Sequence, residues 1–385
     1  YRPIETRGGN VTLNLENVVL DNTAATVINK WIIAVAGNST CGSEALPVNI
    51  NISDSTITAM KTGYAFKAFN PVTLTIDNST LTGYGVLWFA EATASFGSKG
   101  SAVEITGNSV LTSNNSFDAS SDFAVFVFDD DDISVTVKDS VVNVNATGTA
   151  MNGTVLYRAD NVRFSVEGDS AVILNGANAV HVMTDSRYIE NMDTLGYELC
   201  EGVKTNVLTS NLAENSVIYY DEAQKVYVVV GVENAAGAGV VAINGVVGYT
   251  SLQSAIGMAE AGDTVTLLQD RTESITVVEG QEIVLDLGGN TLTGSDLKAI
   301  ANAGTLTVKN GEVIGKTSAI FNGANSLDGD VTTQLHSATL TLENVRLSST
   351  NTTAGVTLNN SFSTILSIKG STITAQPGMT ALNNS

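Results

Sequence analysis

The stretch that decides the fold is Val72-Thr73-Leu74-Thr75-Ile76-Asp77-Asn78-Ser79-Thr80-Leu81-Thr82. It opens with strict alternation of apolar and polar residues, the period of a strand with one buried face. Asp77-Asn78 interrupts it, and a second short alternation follows. Outward from this phrase the same pattern recurs as Val11 to Leu20, Val48 to Thr58, Val103 to Thr112, Val135 to Val142 and Phe164 to Val172. After a gap it returns as Leu285 to Thr293, Leu306 to Ile314, Leu340 to Leu347 and Leu366 to Thr374.

Each copy turns on a residue that tolerates left-handed backbone geometry: Asn17, Asp54, Asn78, Asn108, Asp139 and Asp169, then Asn290, Asn310, Asn344 and Gly370. Spacing between copies is uneven, from 21 residues (Leu285 to Leu306) to 37 (Val11 to Val48). Strand–corner–strand units joined by variable loops predict an all-β solenoid, a right-handed parallel β-helix. A β-sandwich is the rival, since alternation alone does not exclude it.

The pattern breaks between Ser186 and Tyr249. Val217 to Tyr220 and Val226 to Val229 flank a polar Asp221–Gln224 turn, and Asn244-Gly245 is a strong hairpin signal. The helical pattern of Ser251 to Glu260 places Leu252, Ala255, Ile256 and Ala259 on one face, with Thr250 or Ser251 as cap and Gly262 as stop. Three regions are expected: a first helical segment over 1–185 without its own N-terminal cap, a cap and hairpin linker over 186–249, and a second segment over 250–385. The chain opens on Tyr1-Arg2-Pro3-Ile4 with no signal peptide, so a processed chain, or a piece of a longer tandem array, is expected.

The segments Tyr249 to Ile256, Ala261 to Leu268 and Ile283 to Thr293 resemble a recurring motif of pectate-lyase-like β-helix surface proteins of anaerobic, largely gut-dwelling bacteria. That resemblance implies adhesive or structural work at a cell surface.

Composition narrows the function. A net charge of −21 among 385 residues argues against a phosphate-binding surface, and with it nucleic acid. No run of about 18 apolar residues occurs, so membrane insertion is not expected. Galacturonan hydrolases of the β-helix fold carry Gly-His-Gly and Arg-Ile-Lys signatures, and neither is present; the two histidines, His181 and His336, are far apart. A catalytic role is therefore not expected, and a polysaccharide-binding or polysaccharide-degrading protein of the same fold is the alternative. Asp129, Asp130, Asp131 and Asp132 are the one candidate calcium site, set against a solvated turn at a strand end. Cys41 and Cys200 form either one long-range disulfide or two free thiols. Trp31 and Trp88 serve either sugar stacking or core packing. Thr-x-Thr pairs at Thr56/Thr58, Thr80/Thr82, Thr291/Thr293 and Thr372/Thr374 suit exposed strand positions. The expected protein is an extracellular or cell-surface stalk, adhesin or filament subunit. Its partners would be other copies, neighbouring surface repeats, or host and microbial glycans, met through loops such as Ala36 to Leu46, Gly85 to Lys99 and Asn322 to Gln334.

Overall fold

The computed structural model describes residues 3–7, 9–24, 31–36, 47–59, 63–83, 85–93, 96–113, 126–145, 154–156, 161–175, 181–183, 205–207, 212–327, 336–352, 355–361 and 363–385. The protein is all-β with parallel sheets, and it divides into two compact units, Tyr1–Asn234 and Ala235–Ser385.

In the first unit each repeat contributes one strand to each of three parallel sheets. One sheet holds the first strand of each quoted phrase: Val11–Glu16, Val48–Ser53, Val72–Asp77, Ala102–Thr106, Ser134–Lys138 and Arg163–Glu167. A second holds the strands after the corner, from Val19–Asp21 through Thr56–Thr58, Thr80–Gly83, Val110–Ser113 and Val141–Asn145 to Ala171–Asn175. Pairing is in register, so like residues form columns: Leu13, Ile50, Leu74, Val103, Val135 and Phe164 lie on successive strands. Ile50, Leu74, Val103 and Val135 are almost fully inaccessible. Burying each such side chain stabilises the fold by about 1.5–3 kcal/mol.

The third sheet carries Ile4–Arg7, Trp31–Ala36, Tyr64–Ala68, Gly85–Thr93, Phe126–Asp129, Thr154–Leu156 and His181–Met183. Tyr64–Ala68 is buried at every position, so it shows no alternation. That is why the repeated phrase revealed two strands per repeat and missed the third. It also corrects the expected loop at Gly85–Lys99. Gly85–Thr93 is a nine-residue strand, and Phe96–Gly97 folds back antiparallel against it. Phe66, Phe89 and Phe128 fill the space beneath this sheet, with ring centroids 6.0 and 5.6 Å apart.

Both expected hairpins form. Ser216–Asp221 and Val226–Gly231 pair antiparallel, and Val226–Gly231 lies antiparallel along Ala171–Asn175, ending the parallel run of the first unit. Ala242–Asn244 and Val247–Tyr249 pair around Gly245, whose φ is +57°, and Ala242–Asn244 runs antiparallel to Asp263–Leu267 in the second unit. The region expected as a single linker is therefore divided between the units, with the boundary at Asn234/Ala235.

The second unit repeats the three-sheet plan. Asp263–Leu267, Glu282–Asp286, the first halves of Thr305–Gly315 and Thr339–Ser349, and Ile365–Lys369 form one sheet. Ile275–Val277, Lys298–Asn302, Ser318–Asn322, Val356–Asn360 and Thr380–Asn384 form another. Asp286, Lys309, Glu343 and Lys369 occupy one column of the first of these, and Lys309 Nζ lies 3.3 Å from Asp286 Oδ2.

The helix Leu252–Met258 packs Leu252, Ala255 and Ile256 into this core. Ser251 caps it, accepting the Ser254 N–H at 3.2 Å. The helix stops earlier than expected, at an extended Ala259, and Gly262 takes the left-handed turn three residues further on, with φ +88°.

Candidate functional site

The corners are the most repetitive feature. Positive φ occurs at Asn17 (54°), Asp54 (49°), Asn78 (42°), Asn108 (65°), Asp139 (49°), Asn310 (59°), Asn344 (56°) and Gly370 (60°). Two expected corners are displaced. Gly168 (61°) takes the left-handed position instead of Asp169, and Gly288 (60°) with Gly289 (87°) replaces Asn290. Glycine adopts this geometry without a Cβ penalty, so at these two corners it takes the position in place of the neighbouring Asx. Asn290 instead donates its side-chain amide to Leu267 O at 3.0 Å.

A serine ladder, unforeseen in the sequence, follows these corners. Ser55, Ser79, Ser109, Ser140 and Ser170 are all buried. The N–H of each of the first four donates to the hydroxyl of the next, at 3.0, 3.0, 3.1 and 3.1 Å. Buried backbone donors must be satisfied, and here side chains do it at a bend the strand ladders do not serve. The signal was available as Asp-Ser or Asn-Ser at each corner.

An asparagine ladder runs through the second unit. Asn302, Asn322 and Asn360 are buried, and each donates its side-chain amide to the next, ending on Asn384, at 2.7, 2.7 and 2.6 Å. Its sequence signal is an Asn closing each third strand.

A groove of about 250 Å³ opens in the second unit where one sheet hands over to the next. It is lined by Gly280, Ala303, Gly304 and Ala338, by Glu279, Gln281, Ser337 and Ser363, and by Glu282, Thr305, Thr339 and Ile365. The last four form one in-register column. His336 Nδ1 sits 3.3 Å from Glu279 Oε2 at the rim. Two carboxylates, several hydroxyls and no aromatic side chain give this groove a polar, hydrogen-bonding character.

The other candidates fall out differently. Asp130 Oδ2 accepts the Lys99 N–H at 2.9 Å, while Lys99 Nζ lies 3.1 Å from Asp131 and 3.4 Å from Asp132. Asp132 is itself a left-handed corner (58°), and its carboxylate accepts from Asn161 at 3.0 Å. Asp129 ends the strand Phe126–Asp129. Three of the four aspartates thus shape a turn around a lysine, and among the described residues no group of three or more His, Cys, Asp or Glu is placed to hold a metal ion. Trp88 is occupied from within the protein: Lys67 Nζ lies 3.2 Å from its ring centroid, 4.6 Å from Trp31 and 4.7 Å from Phe69, and Tyr64 packs against it at 5.2 Å. His181 lies on the short strand His181–Met183 of the first unit, and His336 belongs to the second. The threonine column Thr56–Thr80 continues as Val110 and Val141. Cys41 and Cys200 lie outside the described residues.

The helix N-terminus of the second unit is closed by Glu273. Its carboxylate accepts from Ser251 Oγ (2.8 Å), Gln253 N (2.9 Å), Leu252 N (3.1 Å) and Arg271 Nε (3.1 Å). Burial pushes the Glu273 carboxyl up, but these hydrogen bonds outweigh it and hold it below its ordinary value.

Comparison with known proteins finds no match: no family model, no curated protein and no solved structure is similar to this chain.

Proposed function

We propose that this protein is a non-catalytic structural and adhesive element: a right-handed parallel β-helix displayed outside the cell, working as a stalk or filament subunit. The observation that supports this most is the in-register parallel pairing, level after level, reinforced by buried serine and asparagine ladders. A continuous hydrogen-bonded ladder along one direction resists bending and stretching, and repeats add length without changing the cross-section. The sequence resemblance to pectate-lyase-like surface proteins points the same way.

End-to-end assembly extends this reading. Among the described residues Ile365–Lys369, Thr372–Thr374 and Thr380–Asn384 pair along one edge only. A second copy or a neighbouring surface repeat could continue each ladder there.

Negative-stain electron microscopy across a concentration series tests the proposal. Rods of uniform width that lengthen into fibres are the expected result. Compact particles with no long axis at any concentration would overturn it.

A further inference from the structure

The first level of the second unit closes its strand edges in two different ways. Asp263–Leu267 is covered by a backbone strand, the antiparallel Ala242–Asn244. Ile275–Val277, the outermost strand of its sheet, is covered by side chains instead. Gln253 Oε1 accepts the Thr276 N–H at 2.7 Å, and Gln253 Nε2 donates to Thr276 O at 3.2 Å. Gln281 Oε1 accepts the Val278 N–H at 2.9 Å, while its Nε2 donates to Ile256 O at 3.1 Å. Side-chain amides thus stand where a neighbouring strand would pair, and both are tied to the helix Leu252–Met258.

Glu273 anchors that helix, accepting from Ser251 Oγ and from the N–H groups of Leu252 and Gln253. Burial works against its charge, but the hydrogen bonds hold the carboxyl below its ordinary 4.5. The anchor is therefore complete above 4.5 and is withdrawn as pH falls through the lowered value. Among the described residues Arg271 is the charged group paired with Glu273. The helix itself carries none, and on the next level Asp296 accepts from Ser295 while Lys298 reaches Ser326 O. The whole chain carries −21 at neutral pH and becomes neutral at about pH 4.3. Repulsion between copies fades in the same range in which the helix loses its anchor.

We propose that Leu252–Met258 is an acid-released lid, and that the edge it uncovers pairs with the same edge of a second copy. Thr276 turns both its N–H and its C=O to the lidded side. About a two-fold axis Thr276 of one copy meets Thr276 of the other, and the two exchange both hydrogen bonds as an antiparallel pair does. Val278, beside the strand and 51% exposed, adds apolar surface to the contact. Leu252, Ala255 and Ile256 are wholly inaccessible, so opening is unfavourable alone and requires both acid and the partner strand. The pairing is closed and yields dimers, so it stands or falls apart from end-to-end assembly.

Hydrogen exchange and sedimentation velocity on the full chain, from neutral pH down through the acid range, provide the test. Protection over the helix and at Thr276 is expected to fall by about tenfold or more, the loss of charge-assisted hydrogen bonds, while Leu285 and Leu306 keep theirs. Dimers should appear in the same range, and raising the concentration should restore protection at Thr276 but not over the helix. Glu273→Gln should lower helix protection already at neutral pH. Thr276→Pro removes an N–H on the free side only, a change that edge strands tolerate. With its melting near wild type, this variant should release the lid and stay monomeric. Helix protection lost only together with that of the whole chain would overturn the lid. Absence of dimers in acid, dimers as abundant in Thr276→Pro as in wild type, or protection at Thr276 that concentration does not restore would each overturn the pairing.

Discussion

The hydroxyl of Ser109 accepts the backbone N–H of Ser79 at 3.0 Å while donating its own proton to Thr106 O at 2.6 Å. One fully buried side chain thus links two successive levels at their corner. Ser109→Ala leaves the buried Ser79 N–H without its acceptor, at a cost of about 1–3 kcal/mol, while Thr106 O keeps the Asn78 and Ser109 N–H groups. Urea denaturation followed by circular dichroism should show a midpoint lowered accordingly. An unchanged midpoint would mean that water replaces the hydroxyl and the ladder contributes nothing.

The asparagine ladder allows a comparison between its middle and its end. Asn322 donates to Asn360 Oδ1 (2.7 Å) and to Ile365 O (3.1 Å), and it accepts from Asn302 (2.7 Å). Asn322→Leu leaves the buried Asn360 Oδ1 without its donor and removes one acceptor of the Asn302 amide, which keeps Thr339 O, and should cost on the order of 3 kcal/mol. Asn384→Leu, at an exposed position, removes one acceptor and should cost under about 1 kcal/mol. Equal losses in the two variants would deny the ladder its role.

Glu273 makes helix docking sensitive to acid. Its carboxyl is held below its ordinary value of 4.5. The stabilisation is therefore fully present above that ordinary value, and is lost as pH falls from there through the lowered value of the folded state. Glu273→Gln should reduce stability near neutral pH by about 1–2 kcal/mol, through weaker capping of Leu252 and Gln253. The gap between wild type and variant should close in strong acid. Parallel urea titrations at neutral and acidic pH measure it, and a pH-independent gap would contradict the assignment.

Much of the strand register was legible before any coordinates. Alternation in Val72–Thr82 and its copies marked two sheets, because one buried face imposes a period of two. The left-handed corners followed from Asn and Asp chemistry, and failed at Asp169 and Asn290, where an adjacent glycine takes the position more easily. The third sheet was illegible for a physical reason: Tyr64–Ala68, Lys298–Asn302 and Ser318–Asn322 are buried on both faces and show no period. The groove was hidden because Glu282, Thr305, Thr339 and Ile365 are distant in sequence and meet only through register. The serine and asparagine ladders were readable in hindsight, as a Ser after the corner in five successive repeats of the first unit and an Asn closing four successive strands of the second.

Gly304 tests how tightly the corner beneath the groove is packed. Gly304→Ala forces its Cβ against the carbonyl oxygens of Gln281 and Val278, both on backbone that cannot swing aside. A loss of about 1–3 kcal/mol is expected, typical of overpacking. Gly257→Ala, with open space around the added methyl, serves as the tolerated comparison. Similar melting temperatures for the two variants would contradict this account.

The column Asp286, Lys309, Glu343, Lys369 alternates in sign, and alternation carries parity. Excising the level of Lys309 would set Asp286 directly beside Glu343, and like charges facing each other across a strand pair are destabilising. Excising the levels of Lys309 and Glu343 together would set Asp286 beside Lys369 and restore attraction. The same rule penalises a strand that skips one level during folding and spares one that skips two. This part of the chain can therefore be shortened at least cost in even steps, as if its repeats came in pairs.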